Sequence, residues 1–262
     1  MPSPKIAVIM FPGTNCEQES ARAVISAGMT AEIIRWNSPA KLDDYDGFVL
    51  PGGFSYEDRI RAGIIAAQES IMSDIKRQAD LGKPVIGICN GAQILVESGI
   101  IPGLKNKVEM ALAPNINPFV SGYYCTWVYL RSTGKSAFNS LFSPNEIFPV
   151  PVAHGEGRFV TRDKELIETL KKNNQIIFWY CDGSGEVIEK FPINPNGSSY
   201  NIAAVSNEKG NVLAIMPHPE RASFKRQIPN LVKRDIQEAE SHAEGIKVFE
   251  SMKLYIESQL FS

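Results

Sequence analysis

The sequence predicts an α/β fold in which a central mixed, mostly parallel sheet carries helices on both faces. Two features of the first third of the chain carry that prediction. Three short apolar runs, residues 6–11, 48–50 and 85–89, have strand length and reach a Gly or Pro within two residues, as buried parallel strands do. Between them apolar residues recur at three- and four-residue steps, the period of a helix. Strands alternating with helices build an open sheet covered on both sides.

Taken in order, the strand at 6–11 is followed by Thr14-x-x-Glu17. This reads as a capping box opening a helix that carries Ala21, Val24 and Ile25 and stops near Gly28. A second helix is expected from about Arg59 to Leu81, where Ile60, Ile64, Ala67, Ile71 and Ile75 share a face and Gly82 is a natural stop. From Asn106 to Val160 the pattern changes. Short alternating or aromatic runs (123–130 and 147–152), broken by Pro and Gly, read as antiparallel strands. Residues 175–181, 201–206 and 212–216 are further strands, the last two joined by the turn Asn207-Glu208-Lys209-Gly210, and 190–199 is a loop. Val248, Phe249, Met252, Tyr255, Ile256 and Leu260 form the apolar stripe of a closing helix. With no repeat, low-complexity tract or linker, residues 1–262 read as one domain.

Composition narrows the function. A net charge of −2 argues against nucleic acid as the main ligand, since phosphate binding needs a basic excess. At 44% hydrophobic and 21% charged the chain is ordinary and globular, and its length lets it bury about 70–75% of its unfolded surface without a disulfide or a metal. Cys16, Cys89, Cys125 and Cys181 are widely spaced with no C-x-x-C pair, so they read as free thiols of a reducing compartment. No apolar run approaches the roughly 20 residues of a membrane span, and the N-terminus lacks a signal-peptide stretch. A cytoplasmic protein with no membrane partner is expected.

The strongest local signal is Gly87-Ile88-Cys89-Asn90-Gly91, directly after a strand. A nucleophile between strand and helix, with Gly two residues to either side, has the form of a nucleophile elbow. The sharp turn pushes the side chain out at the carboxyl end of the sheet, and a helix opening at Asn90 turns its positive end towards the sulfur, favouring the thiolate. By itself the pattern fits a buried inert thiol equally well; it needs a base. His218 lies in Met216-Pro217-His218-Pro219-Glu220-Arg221, after the strand at 212–216. Prolines on both sides suggest extended backbone, which points His218 and Glu220 the same way, so that Glu220 can fix the imidazole tautomer. An isolated H-x-E is as readily a loop histidine beside an exposed acid; Cys89 at a neighbouring strand end makes the triad the better reading.

His154, in His154-Gly155-Glu156-Gly157, is either a turn with glycines supplying positive φ or a contact to substrate or partner. His242, among Glu238, Glu240 and Glu244, reads as a solvated helix residue. H-x-E spacing can also hold a metal, but with no third ligand evident no metal site is expected. Pro51-Gly52-Gly53 follows the strand at 48–50, where Gly52 and Gly53 would let a backbone N–H approach an oxyanion, the amide of Asn90 being the second donor. No G-x-x-x-x-G-K-[ST] or G-x-G-x-x-G is present, so an ATP-driven step would need another polypeptide.

Together these residues resemble the class I, triad-type glutamine amidotransferases, which carry a G-x-C-x-G elbow, an oxyanion-strand P-G-G and a late H-P-E. Residues 8–16 (V-I-M-F-P-G-T-N-C), 50–63 (L-P-G-G-F-S-Y-E-D-R-I-R-A-G), 154–157, 194–198 (N-P-N-G-S) and 211–221 (N-V-L-A-I-M-P-H-P-E-R) are similar to one branch of that family, the glutaminase subunits of phosphoribosylformylglycinamidine synthase. The resemblance spans nearly the whole chain. It implies a flavodoxin-like class I glutaminase fold and catalysis by Cys89, His218 and Glu220. It also implies glutamine binding by Gly52, Gly53, Asn90 and Gln93, the last otherwise a helix-surface residue. Ammonia would pass to a large synthetase subunit, joined by a small accessory subunit in the same complex. No cofactor is implied in this chain; ATP and Mg²⁺ belong to the synthetase. Two positions depart from the pattern: Glu57 stands where Gly is expected, and Ala92 where Cys is common. A glutaminase for another synthetase, a non-catalytic member of the fold and a peptidase with a similar elbow are the competing readings.

Overall fold

The computed structural model describes residues 3–105, 107–120, 122–229 and 236–260; Asn106 and the Leu260 side chain lie outside the described residues. The first half alternates as the periodicity requires: β1 (Lys5–Met10), α1 (Glu17–Ser26), β2 (Thr30–Arg35), β3 (Gly47–Leu50), α2 (Ser70–Asp80), β4 (Val85–Ile88) and α3 (Asn90–Glu97). The second half brings β5 (Ala111–Ala113), β6 (Tyr124–Ser132), β7 (Ile147–His154), β8 (Arg158–Val160), α4 (Lys164–Lys172), β9 (Ile176–Cys181), β10 (Ile202–Ser206), β11 (Val212–Ile215), the single turn α5 (Ile236–Ala239) and α6 (Ile246–Leu260). No described helix is long and apolar enough to cross a membrane.

Nine strands form one sheet in the order β2-β1-β3-β4-β11-β10-β9-β6-β7, with β5 and β8 paired apart from it. The five strands from β2 to β11 are parallel, and β10, β9, β6 and β7 continue antiparallel. Every residue of β3, β4 and β11 is buried. Side chains alternate faces along a strand, so both faces of this parallel core are covered. The chain leaves β1 for β2 on one side and β3 on the other, a topological switch point of the kind at whose carboxyl edge open α/β sheets place their sites.

Three local expectations are corrected. The capping box does not form: Thr14 Oγ1 turns back to accept from the Phe11 N–H at 3.0 Å, and α1 opens at Glu17 after Cys16 with no side-chain cap. The helix expected from Arg59 begins only at Ser70. Tyr56, Glu57, Asp58 and Ile60 hold φ of 54°, 60°, 52° and 72°, outside helical space, and Ile60 is 86% exposed although its spacing put it on the apolar face. What wins is packing on α3. A Cβ on Gly63 would lie 2.8 Å from backbone atoms of Gln93 and Ile94, and Arg61 grips the buried Glu97 carboxylate through two nitrogens. His242 is exposed but not helical; it bridges to Phe224 ahead of α6 and faces Glu250 at 3.4 Å.

Candidate active site

Because β1, β3, β4 and β11 run parallel, the loops after them open on one edge of the sheet, and the candidate residues gather there. Cys89 follows β4 with φ 53° and ψ −106°, and α3 starts at the next residue. The flanking glycines are required by contact. A Cβ on Gly87 would lie 2.4 Å from the Gly91 carbonyl oxygen, and one on Gly91 would lie 1.9 Å from that of Leu50. The Cys89 N–H is held by the Ile215 carbonyl at 2.8 Å, so the elbow is tied to β11, the strand that leads to the histidine.

His218 is 2% exposed and its Nδ1 lies 2.6 Å from Glu220 Oε1, itself buried. The backbone joining them is not the extended run expected from the prolines. Residues 219–221 form a 3₁₀ turn, which brings i and i+2 together as closely as a strand would. The N–H of His218 donates to the Pro151 carbonyl of β7 at 2.9 Å. Burial works against a charged imidazole here, but the Glu220 carboxylate, with Cys89 beside it, outweighs burial and holds the His218 pKa well above its usual 6.5. Nε2 of His218 and Oε2 of Glu220 are buried without a partner.

Gly52 is the hub. A Cβ there would meet His218 Cε1 at 2.9 Å, Cys16 Sγ at 3.2 Å and Cys89 Cβ at 3.4 Å, so the imidazole and both side chains converge on the space that glycine leaves. Gly53, at φ 153°, would carry its Cβ into the backbone of residues 13–15. The P-G-G turn thus serves two close approaches. Asn90 and Gln93 form a buried lattice behind it. Asn90 accepts from the Ser55 N–H at 3.0 Å and donates to Gln93 Oε1 at 2.8 Å and to Asp58 Oδ1 at 3.2 Å; Gln93 Nε2 donates to the Glu156 carbonyl at 2.7 Å. The Asp58 carboxyl, pressed by burial and by Glu156, rises to about 6.

Several residues of this site are missed by sequence patterns. Cys16 is one; it follows β1 and is 2% exposed, and only its place after the first parallel strand could have suggested it. Ala153 offers its carbonyl to the Cys89 sulfur at 3.6 Å. Arg221 reaches Cys16 Sγ at 3.1 Å and Glu19 at 3.4 Å. Phe54 and Tyr123 pair at 6.0 Å, both well exposed. His154 ends β7 and is buried, its Nδ1 3.2 Å from Asn115 Oδ1, and residues 155–157 make the turn from β7 to β8. Neither Gly155 nor Gly157 has positive φ; Gly157 is small because a Cβ would lie 2.2 Å from the His154 ring. Glu57 explains its own departure from the family pattern. At φ 60° it occupies the left-handed region that glycine adopts freely, and it pairs in the open with Arg59.

The profile of the CobB/CobQ-like glutamine amidotransferase domain matches residues 3–256. The phosphoribosylformylglycinamidine synthase subunit PurQ of Methanothrix thermoacetophila is 48% identical over 97% of this chain and 99% of its own length. That of Pyrococcus furiosus is 44% identical over 84% and 89%. Among solved structures, PurLQS from Thermotoga maritima contains a chain 33% identical, with a TM-score of 0.74 over 97% of this chain and 99% of that one. A putative GMP synthase subunit from Thermoplasma acidophilum, 14% identical with a TM-score of 0.56, shares the fold. An elbow cysteine, a buried histidine–glutamate pair and a glycine hub, in a chain matched over most of its length by these relatives, place it in the glutamine amidotransferase family, among the PurQ glutaminase subunits of phosphoribosylformylglycinamidine synthase.

Proposed function

We propose that this chain hydrolyses glutamine through Cys89, His218 and Glu220. The ammonia passes to a separate synthetase subunit that converts formylglycinamide ribonucleotide and ATP to the amidine. The observation that carries the reading is the convergence of Cys89 and the His218–Glu220 pair on Gly52 at the carboxyl edge of the parallel strands. The Cys89 thiolate attacks the side-chain carbonyl carbon of glutamine, and the backbone N–H groups of Gly53 and Asn90 receive the oxyanion, each worth about 3–4 kcal/mol in comparable sites. As the C–N bond breaks, the His218 imidazolium gives its proton to the leaving nitrogen, releasing ammonia and a thioester. His218 then takes a proton from water, the resulting hydroxide attacks the thioester, and glutamate leaves as the Cys89 thiolate is restored. Glu220 holds the imidazole in line throughout. Asn90 and Gln93, already bonded to each other and to the loops on either side, fix the floor on which glutamine lies.

We assign ATP and Mg²⁺ to the synthetase, a reading supported by the lack of a G-x-x-x-x-G-K-[ST] or G-x-G-x-x-G run in this sequence. In the Thermotoga maritima assembly the similar chain belongs to PurLQS, and we assign this chain corresponding large and small partners. Four free cysteines suit a reducing cytoplasm, and the chain acts as one glutaminase domain.

The test is labelling by a diazo-ketone analogue of glutamine, with and without the synthetase subunit, followed by peptide mass mapping. One adduct on Cys89, formed faster with the partner, is expected, together with loss of glutamine hydrolysis in Cys89→Ala at unchanged circular dichroism. Full hydrolysis by Cys89→Ala would overturn the assignment.

A further inference from the structure

Cys16 is a buried thiol that this reaction does not use, yet it is built into the site. Its N–H is fixed to the Gly52 carbonyl at 3.1 Å. Its sulfur, a ring nitrogen of His218 and a carboxylate oxygen of Glu220 all lie within 4.8 Å of one another, and all three residues are buried. Two of them hold unpartnered polar atoms, His218 Nε2 and Glu220 Oε2. H-x-E lacks a third metal ligand in the sequence; the fold supplies one from the loop after β1.

A thiolate, an imidazole and a carboxylate make a mixed donor set that suits zinc and disfavours Mg²⁺ or Ca²⁺, which take oxygen alone. Three protein ligands with an exchangeable fourth position are a recurrent zinc geometry. At bond lengths of 2.0–2.3 Å the donors sit roughly 3.3–3.8 Å apart, so the present cluster needs only a modest contraction to close. The guanidinium of Arg221 lies 3.1 Å from the sulfur, but it is paired with Glu19, which offsets its repulsion of a cation.

We propose that Cys16, His218 and Glu220 form an inhibitory binding site for a thiophilic divalent cation of the zinc class, with its open position facing Cys89. Binding takes the imidazole that must carry the proton and the carboxylate that orients it, so the bound metal and turnover exclude each other. On binding, the Cys16 S–H bond and one N–H bond of the His218 imidazolium break, both protons go to solvent and the sulfur–metal and nitrogen–metal bonds form, with no change of oxidation state. The binding stands on the cluster alone; its inhibitory effect rests on the glutaminase reading.

The experiment titrates Co²⁺ into the metal-free chain, reading thiolate-to-cobalt charge transfer in the near ultraviolet, and separately titrates Zn²⁺ into the glutaminase assay with the synthetase subunit present. The charge-transfer band is expected in the wild type and in Cys89→Ala. In Cys16→Ser and Cys16→Ala, folded by circular dichroism, the one thiolate donor is gone and the band is expected to be lost. The half-inhibitory Zn²⁺ concentration, taken against each protein's own metal-free rate, should rise at least roughly tenfold in Cys16→Ser. No band in the wild type, a band kept in Cys16→Ser but lost in Cys89→Ala, or unchanged zinc inhibition in Cys16→Ser would each overturn the proposal. Failure of the glutaminase reading is seen separately, as hydrolysis that survives Cys89→Ala.

Discussion

Cys89 and His218 are each held where they are by something a single-residue view omits. The φ of 53° at Cys89 is a conformation costing about 1–3 kcal/mol, retained because β11 clamps its N–H and two glycines leave it room. His218 is charged because of Glu220. A neutral base would lose activity as it protonates on the acid side. The buried carboxylate at 2.6 Å changes the sign of the useful limb: a histidine held well above 6.5 keeps its donor proton at neutral pH and loses it only as pH rises through the raised pKa. Glu220→Gln removes the charge that outweighs burial. We expect its alkaline limb in kcat/KM to move to lower pH and the rate at neutral pH to fall by about 10²-fold or more. A pH profile with an unmoved alkaline limb would exclude Glu220 as the source of the shift.

Elements meet at the site through backbone contacts that admit no side chain. The elbow, the P-G-G turn after β3 and the loop after β1 are packed so that Gly87, Gly91 and Gly53 each face another backbone. Gly91→Ala is therefore expected to push α3 away from β3, lowering stability by at least about 3 kcal/mol and glutamine hydrolysis with it. A control at Gly82, where a Cβ meets nothing within 4 Å, suffers only the left-handed penalty of about 1–2 kcal/mol. Equal urea midpoints for the two alanine variants would show that contact is not the reason for glycine at 91. The segment from Ser55 to Gly63 belongs to the same scale: its helical spacing is overridden because it must lie across Asn90, Gln93 and Glu97.

Over the whole molecule, the antiparallel half of the sheet matters to the site as much as the parallel half. β7 stands four places beyond β11 in the sheet, yet Pro151 and Ala153 touch His218 and Cys89. His154, at the same strand end, is buried, and burial, with the charge of His218, pushes it down to about 3. Its folded pKa is below the usual 6.5, so between those values the unfolded chain binds a proton that the folded one refuses, and stability falls as pH falls. That residue alone should cost the fold about 2 kcal/mol between pH 7 and pH 5. His154→Gln should lose correspondingly less over the same interval by urea denaturation, and an identical pH dependence in the variant would contradict a buried neutral histidine.

The elbow at Cys89, the His218–Glu220 pair and the glycine turn were legible in the sequence because each is local: a strand run, a breaker and a reactive side chain within five or six residues. The alternation of strand and helix was legible for the same reason, since period and turn residues are properties of short windows. The loss of the capping box, the break ahead of Ser70 in the expected helix and the burial of His154 were not. The Thr14 side chain is taken by the Phe11 N–H three residues back, while the break ahead of Ser70 and the burial of His154 come from contacts with segments far along the chain. Tertiary structure alone decided that Cys16 stands beside His218, that Asn90 and Gln93 are joined in a buried lattice, and that β7 reaches the same strand ends. Sequence patterns record which residues can do chemistry; convergence of strand ends from residues 16, 52, 89, 154 and 218 follows from the order of strands in the sheet, which no short window contains.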